Sequence, residues 1–402
     1  MLLLFPRRRS VDPPFAGFPL EIEFLIIDEF QRDIFRLRIL CRVCRSWATY
    51  AQSLLFNRVD ILHQTITPFL ALLEERSHLA NHINALHITK ANASVGRLAE
   101  FHLLSPLPVL AGKLPKLNTL DFTHSSFGGG PDTLAAATWT AISRLHLHFC
   151  RFDTTDMMVE LIASFPRLES LSVSQCLPAG ILNRNIQIPS WRLRHLALDQ
   201  LPPNAIIDWM ATQSAELTVD SFRILSLGAN ASAVNALLSK IGGSLRHLEL
   251  PWMYLPELHS PQLHDVVSLR PCTALTRVAF TERHMHDFGL GAITTLSRIT
   301  SPRLCTVSFG IHLDQGYLDV HWEEIQTALM ADAFSSLSAV VFDIWGGPFT
   351  HDVATPYERA VPLIKRRLAL LGAKGLLQFK YSDNTANEVD APSPAKLRRS
   401  NF

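Results

Sequence analysis

Cys41 and Cys44 stand three apart in ILCRVCRSWATYAQSLLF (39–56), with Arg42, Arg45 and Trp47 beside them. That spacing suits a zinc clip or a redox pair. A closed zinc site needs two more soft ligands at comparable spacing, and His63 alone does not make a pair. The reading that fits is packing: Leu37, Leu40, Cys44, Trp47 and Ala51 follow +3, +4, +3, +4 steps along one helix face, with Arg38, Arg42 and Arg45 on the opposite side. His146 and His148 lack a third metal ligand. Asp287-Phe288-Gly289 lacks a kinase's glycine-rich loop, lysine strand and H-R-D loop. Gly128-Gly129-Gly130 lacks the Lys-Ser/Thr of a phosphate loop. With no H-E-x-x-H or G-x-S-x-G either, the sequence predicts no catalytic residue, no metal and no cofactor.

The elements that would position any site follow from the whole chain. At 402 residues it buries a large core or builds an elongated array. Lys+Arg 37 against Asp+Glu 36 leaves a net charge of +1, so no global field draws it to nucleic acid or an anionic membrane. The apolar residues are scattered, and no run is long enough for a membrane span. The N-terminus MLLLFPRRRS places its short apolar run before the arginines, the reverse of a secretory signal. The six cysteines are therefore expected to be thiols in the cytoplasm or nucleus.

From residue 83 onward an apolar residue, two others, an apolar residue, one other and an apolar residue recur. The triplets are Ile83/Leu86/Ile88, Leu117/Leu120/Phe122, Ile142/Leu145/Leu147, Leu168/Leu171/Val173, Leu193/Leu196/Leu198, Phe222/Leu225/Leu227, Leu245/Leu248/Leu250, Leu275/Val278/Phe280, Leu304/Val307/Phe309 and Leu337/Val340/Phe342, with Leu377 and Phe379 closing the series. The pattern resembles a degenerate leucine-rich repeat. Cys150, Cys176 and Asn230 fall at the position that bonds exposed backbone where the chain leaves a strand. Segments 153–165, 203–213, 231–242 and 320–334 have helical periodicity. The predicted fold is α/β: a right-handed solenoid over 61–381, parallel sheet on the concave face and helices outside, with a long loop at 343–357. Residues 1–15 are expected to be a flexible N-terminus and 382–402 a disordered tail.

Residues 16–60 differ. Pro19 opens a helix whose apolar stripe is Ile22, Leu25, Ile26 and Phe30, and Asp33 caps a second helix. The run Phe18-Pro19-x-Glu21-Ile22, then Val43-Cys44-Arg45-x-Trp47, then Leu55-Phe56 and Val59, resembles an F-box. With the repeats, it is similar to the fungal F-box proteins that carry degenerate leucine-rich repeats. The resemblance implies a short all-α module docking on a Skp-type adaptor, and through it on a cullin–RING ubiquitin ligase of the SCF type, while the repeats select the target. It implies adaptor contacts at Phe18, Pro19, Glu21, Ile22, Leu25, Ile26, Phe30, Leu40, Val43 and Trp47. Forty-odd residues with this much apolar surface are too few to bury it alone, which argues separately for an interface. The alternative is a leucine-rich-repeat scaffold with no ubiquitin link, its first helices capping the repeats.

On the concave face the residues between inward leucines point outward. Arg144, His146, His148 and His195 form a partly basic, titratable patch, with Asp199, His247 and Glu249 further along. This is the expected contact surface for a protein target.

Overall fold

The apolar triplets become strands. The computed structural model describes residues 19–31, 33–90, 107–128, 139–178, 180, 182, 186–189, 191–199, 205–213, 217–224, 231–251, 267–281, 290–312, 321–345 and 354–382. Its strands are β1 (Arg58–Leu62), β2 (Ala85–Thr89), β3 (Thr119–Thr123), β4 (Ser126–Phe127), β5 (Arg144–His148), β6 (Arg151–Phe152), β7 (Ser170–Ser174) and β8 (Leu177–Pro178). They continue with β9 (His195–Asp199), β10 (Ser221–Ile224), β11 (His247–Pro251), β12 (Arg277–Thr281), β13 (Thr306–His312), β14 (Ala339–Trp345) and β15 (Leu377–Ser382). Twelve of them form one sheet in the order β1-β2-β3-β5-β7-β9-β10-β11-β12-β13-β14-β15. Every neighbouring pair in it is parallel. The short strands β4, β6 and β8 make a second parallel sheet where the chain turns away from three successive main strands.

Register explains the burial. Leu120, Leu145, Leu171 and Leu196 are cross-strand partners, as are Phe122, Leu147, Val173 and Leu198, and all eight are sealed from solvent. Alternation along a strand turns the intervening residues to the open face. The connecting helices Thr155–Ala163, Ala205–Thr212, Ala231–Ile241 and Trp322–Leu329 lie within their predicted segments. They bury their apolar faces in the same core as the strands. Thr154 caps the first of them, its Oγ1 accepting from the Met157 N–H at 3.2 Å. Toward the C-terminus the inner row becomes aromatic, and Phe280, Phe309, Phe342 and Phe379 stack at 5.3–5.7 Å. Gly242 is required where successive units meet, since a Cβ there would lie 2.7 Å from the Pro271 carbonyl. The result is a solenoid-like stack of repeating units, each held by its neighbours.

The strand exits repeat a corner. His124, Phe149 and Gln175 all have φ of 52° and donate their N–H to the next strand's carbonyl, at His148, Ser174 and Asp199. Behind them Cys150 Sγ donates to the Phe122 carbonyl at 3.3 Å and Cys176 Sγ to the Leu147 carbonyl at 3.6 Å, the role their positions predicted. Ser125 fills the same place in the preceding unit, its Oγ donating to the Thr123 carbonyl at 3.3 Å.

Upstream lie α1 (Leu20–Asp28), α2 (Ile34–Leu40) and α3 (Arg45–Leu55), whose own core is Ile27, Leu37 and Ala51. The single helix predicted through Cys44 is two. The chain turns at 41–43, and Cys44 is the extended, exposed residue before α3, with φ −154° and ψ 176°. In one straight helix Leu37 and Ala51 would stand ~21 Å apart. The break folds α3 back so that both reach Ile27.

Four further expectations change. β10 pairs Phe222 with Leu196 and Ile224 with Leu198, so its triplet is Val219/Phe222/Ile224, not Phe222/Leu225/Leu227. Residues 343–345 are strand, and a helix (Ala354–Arg367) starts inside the segment expected to be loop. β1 begins at Arg58, so the sheet starts before residue 60. Ser382, expected to open the tail, ends β15, and Phe18, Asn230, Gly129, Gly130, Asp287-Phe288-Gly289 and the segments 1–15 and 383–402 lie outside the described residues.

Candidate functional site

Two surfaces emerge. The first is the outside of the helical module. On α1, Ile22, Leu25 and Ile26 occupy one side and are exposed, with Ile26 at 37%, while Ile27 is fully buried. Pro19 and Glu21 are exposed beside them. Along α2 and the following turn Phe35, Ile39 and Val43, spaced by four, are exposed as well, Phe35 at 77%. Leu20 and Ile34 complete the set. Eight of the thirteen exposed large apolar residues among the described residues fall between 20 and 43, a concentration that single scattered surface leucines would not produce.

Of the other predicted adaptor contacts, Phe30, Leu40 and Trp47 are half-buried and pack against Ile27, Leu37 and Ala51. Trp47 Nε1 donates to Glu23 Oε2 at 2.8 Å, and Tyr50, stacked on Phe24, donates to Asp28 Oδ1 at 2.8 Å. These ties hold α3 to α1 and so fix the outward side of α1. Leu20, Ile34, Phe35 and Ile39 were missed. Their signal was the i, i+4, i+8 spacing of Phe35, Ile39 and Val43, hidden while the inner stripe was read through Cys44. Cys41 Sγ faces the Ala48 carbonyl at 4.0 Å and Cys44 Sγ faces Ser46 Oγ at 3.1 Å, so the two thiols have separate partners. Among the described residues no three His, Cys, Asp or Glu side chains gather as metal ligands would.

The second surface is the open face of the main sheet. Its first row runs Arg58, Ala85, Thr119, Arg144, Ser170, His195, Ser221, His247, Arg277 by direct pairing. Arg144, His195, His247 and Arg277 are exposed in it. The second row carries Asp60, His87, Asp121, His146, Ser172, Ala197, Arg223 and Glu249. Arg223 and Glu249 form an ion pair at 3.2 Å. His148 and Asp199 lie in a third row with Ser174 between them, and Ser174 Oγ donates to Asp199 Oδ2 at 3.3 Å. The predicted patch is thus one surface, but distributed over three rows. Arg223 was missed through the register slip in β10, and Arg277 stands in the first row beside His247, with Arg58 the exposed basic residue at the row's other end.

Sequence reasoning also missed Asp60 and His87. His87 is almost sealed, at 1% exposure, with Nδ1 3.2 Å from Asp60 Oδ1 and Nε2 3.0 Å from Thr123 Oγ1. The hydrogen bond from His87 holds the Asp60 carboxyl below its ordinary range, and Arg58 adds to the effect. The connectivity is that of an acid–base–hydroxyl relay. Thr123 is only 8% exposed, however, and a nucleophile needs a carbonyl within contact distance. The triad ties β1, β2 and β3 together. Next to it, burial lowers the His146 pKa, with Arg144 assisting and Asp121 opposing. Burial likewise lowers His247, reinforced by Arg277, His195 and Arg246 against Asp220. Burial pushes the Cys272 thiol up to about 12 and raises Cys150, so neither is a ready nucleophile.

No protein-family model matches the chain, and no curated protein matches it. Among solved structures it is similar to one titled "Crystal structure of Rad7 and Elc1 complex in yeast", at 14% identity over 83% of this chain and 90% of that one, with a TM-score of 0.31. At that score the likeness carries no argument. The chain's own geometry is what remains: a parallel repeat sheet with one open face, preceded by three helices that leave apolar residues uncovered. Among the described residues no helix is long and apolar enough to cross a membrane.

Proposed function

We propose that the chain is the substrate-recognition subunit of a cullin–RING ubiquitin ligase of the SCF type, without catalytic chemistry of its own. In this reading residues 16–60 are an F-box docking on a Skp-type adaptor, and the leucine-rich repeats hold the target protein on their open face. The partner enzymes transfer ubiquitin, and the receptor raises the local concentration of target beside them. The observation that carries the reading is the uncovered apolar side of α1 and α2, at Ile22, Leu25, Ile26, Ile34, Phe35, Ile39 and Val43. Complete burial of such a side chain is worth roughly 1.5–3 kcal/mol, and at 37–77% exposure each still has part of that to gain from a docking partner.

One observation favours the scaffold reading instead. α3 ends at Leu55, β1 starts at Arg58, and Phe56 and Val59 pack into the repeat core, so the helices also cap the first unit. Capping uses α3, though, and leaves the outward side of α1 unemployed. The two readings separate by co-purifying the full chain with a Skp-type adaptor and cullin, beside the double variant Pro19→Ala/Ile22→Asp and a deletion of 383–402. Capture by the intact chain and the tail deletion, lost in the double variant, is the expected result. Failure of the intact chain to capture the adaptor removes the ligase reading.

A further inference from the structure

The first row of the open face has a period of its own. Pairing sets Arg144, Ser170, His195, Ser221, His247 and Arg277 side by side on β5, β7, β9, β10, β11 and β12. Neighbouring strands lie ~4.8 Å apart. Arg144, His195 and His247, on every second strand, therefore stand ~10 Å from one another, and Arg277 stands ~5 Å beyond His247. All four are exposed, while the serines between them are half-buried. A guanidinium thus stands at each end, with two imidazoles between. Between β5 and β12 the second row adds one acid, Glu249, whose charge is balanced by Arg223 at 3.2 Å, while Asp121 stands one strand before Arg144 and Asp220 lies near His247.

A polyproline II chain repeats every three residues with ~3.1 Å per residue, so every third side chain faces the same way ~9 Å apart. Resting on the target-receptor reading above, we propose that this row binds an extended acidic segment of the target protein, running across the strands, with an Asp or Glu at every third residue. Successive carboxylates meet Arg144, His195 and the His247–Arg277 pair. Ser170 and Ser221 face the intervening residues, whose backbone groups a polyproline II chain leaves free for a hydroxyl. A helix would satisfy those groups itself, and its two-turn repeat of ~10.8 Å matches the ~9.6 Å between alternate strands less closely than the ~9.3 Å of three polyproline II residues. Guanidinium groups at the ends fix position through paired bonds to carboxylate oxygens.

Fluorescence anisotropy with the full chain tests this. The probe is a labelled peptide of Glu-Pro-Pro repeats. Its comparators are the same residues with the glutamates in one block, a helical peptide with glutamate at every seventh position, the repeat peptide with phosphoserine for glutamate, and single-stranded DNA of equal charge. The Glu-Pro-Pro peptide is expected to bind about tenfold tighter than the block peptide at physiological salt, as register-dependent charge pairing requires. Arg144→Glu/Arg277→Glu is expected to abolish that preference with its melting temperature unchanged. Should that variant misfold, Arg144→Ser and Arg277→Ser made singly are each expected to reduce it. Equal binding of the block or helical peptide, tighter binding of DNA or the phosphoserine peptide, or indifference to the arginine changes overturns the assignment. Adaptor capture is scored separately with the same protein. Capture without peptide preference sinks this inference and spares the ligase reading, and preference without capture does the reverse.

Discussion

The helical module and the repeat sheet are made of similarly apolar sequence, yet they dispose of it in opposite ways. The sheet and its helices share one continuous core in which nearly every inward leucine or phenylalanine is sealed. The module seals Ile27, Leu37 and Ala51 and leaves eight large apolar side chains exposed. The cause is stacking. A repeat unit always has a neighbour to cover its flanks, so apolar residues added to the pattern go inside. Three short helices share one small core and meet the repeats where α3 ends, and surface-to-volume geometry leaves their outer stripes in water. Apolar residues are therefore covered by neighbouring units in the sheet and left at the surface in the module.

The largest test of that contrast sets Phe309→Ala against Phe35→Ala. Phe309 stacks between Phe280 and Phe342, and its truncation is expected to cost ~3–5 kcal/mol in denaturant unfolding. The Phe35 change is expected to stay within ~0.5 kcal/mol while weakening adaptor capture. Equal stability losses would mean that the module's outer stripe is packed after all. Next, His87→Ala strands Asp60 and Thr123 across three strands and is expected to cost ~1–3 kcal/mol.

Smaller still are the caps. Asp33 accepts from the Arg36 N–H at 3.0 Å in the module, and Thr154 accepts from Met157 in the sheet's first well-capped connection. Each alanine change is expected to cost ~1 kcal/mol. Hydrogen exchange is expected to show the Asp33 loss confined to α2 and the Thr154 loss shared with adjacent units.

The gentlest test is pH. His63, His82, His124, His146 and His247 all have pKa values lowered chiefly by burial, and all lie in the repeat region. Residues 16–60 contain no histidine. A lowered histidine pKa means the unfolded chain takes up protons first. That contribution is complete above the ordinary value of ~6.5 and fades as pH falls below it. The depressed Asp60 carboxyl acts in the same direction, but only below ~3.8. Melting temperature of the repeat transition is thus expected to drop between pH 7.5 and 5.5, with adaptor capture unchanged. A melting temperature that rises on acidification would contradict the lowered values of these rings.

Much of the sheet was legible because two inward residues per strand at fixed spacing cannot be satisfied by a helix. The error at β10 is instructive: Phe-Arg-Ile-Leu-Ser-Leu offers two overlapping frames, and apolar type alone does not choose. Strand pairing chooses, since Val219 keeps step with Leu193 and Leu245 at equal separations of 26 residues, whereas Phe222 does not. The break at 41–44 was illegible for a related reason. Leu37, Leu40, Trp47 and Ala51 do face one core, and periodicity records a shared core without recording that the chain reversed to reach it. The Asp60–His87–Thr123 tie was invisible because its members are 27 and 36 residues apart and meet only through register.

The strand order runs without closing, and among the described residues β15 is the last strand of the row. Such a rim invites another molecule's strand to add on, the first step toward fibres. Lys380, exposed at mid-strand between Phe379 and Tyr381, confronts any incoming copy with a charge it would have to strip of water. Exchanging Lys380 for valine is expected to remove that charge from the last strand and to raise aggregation, read by light scattering.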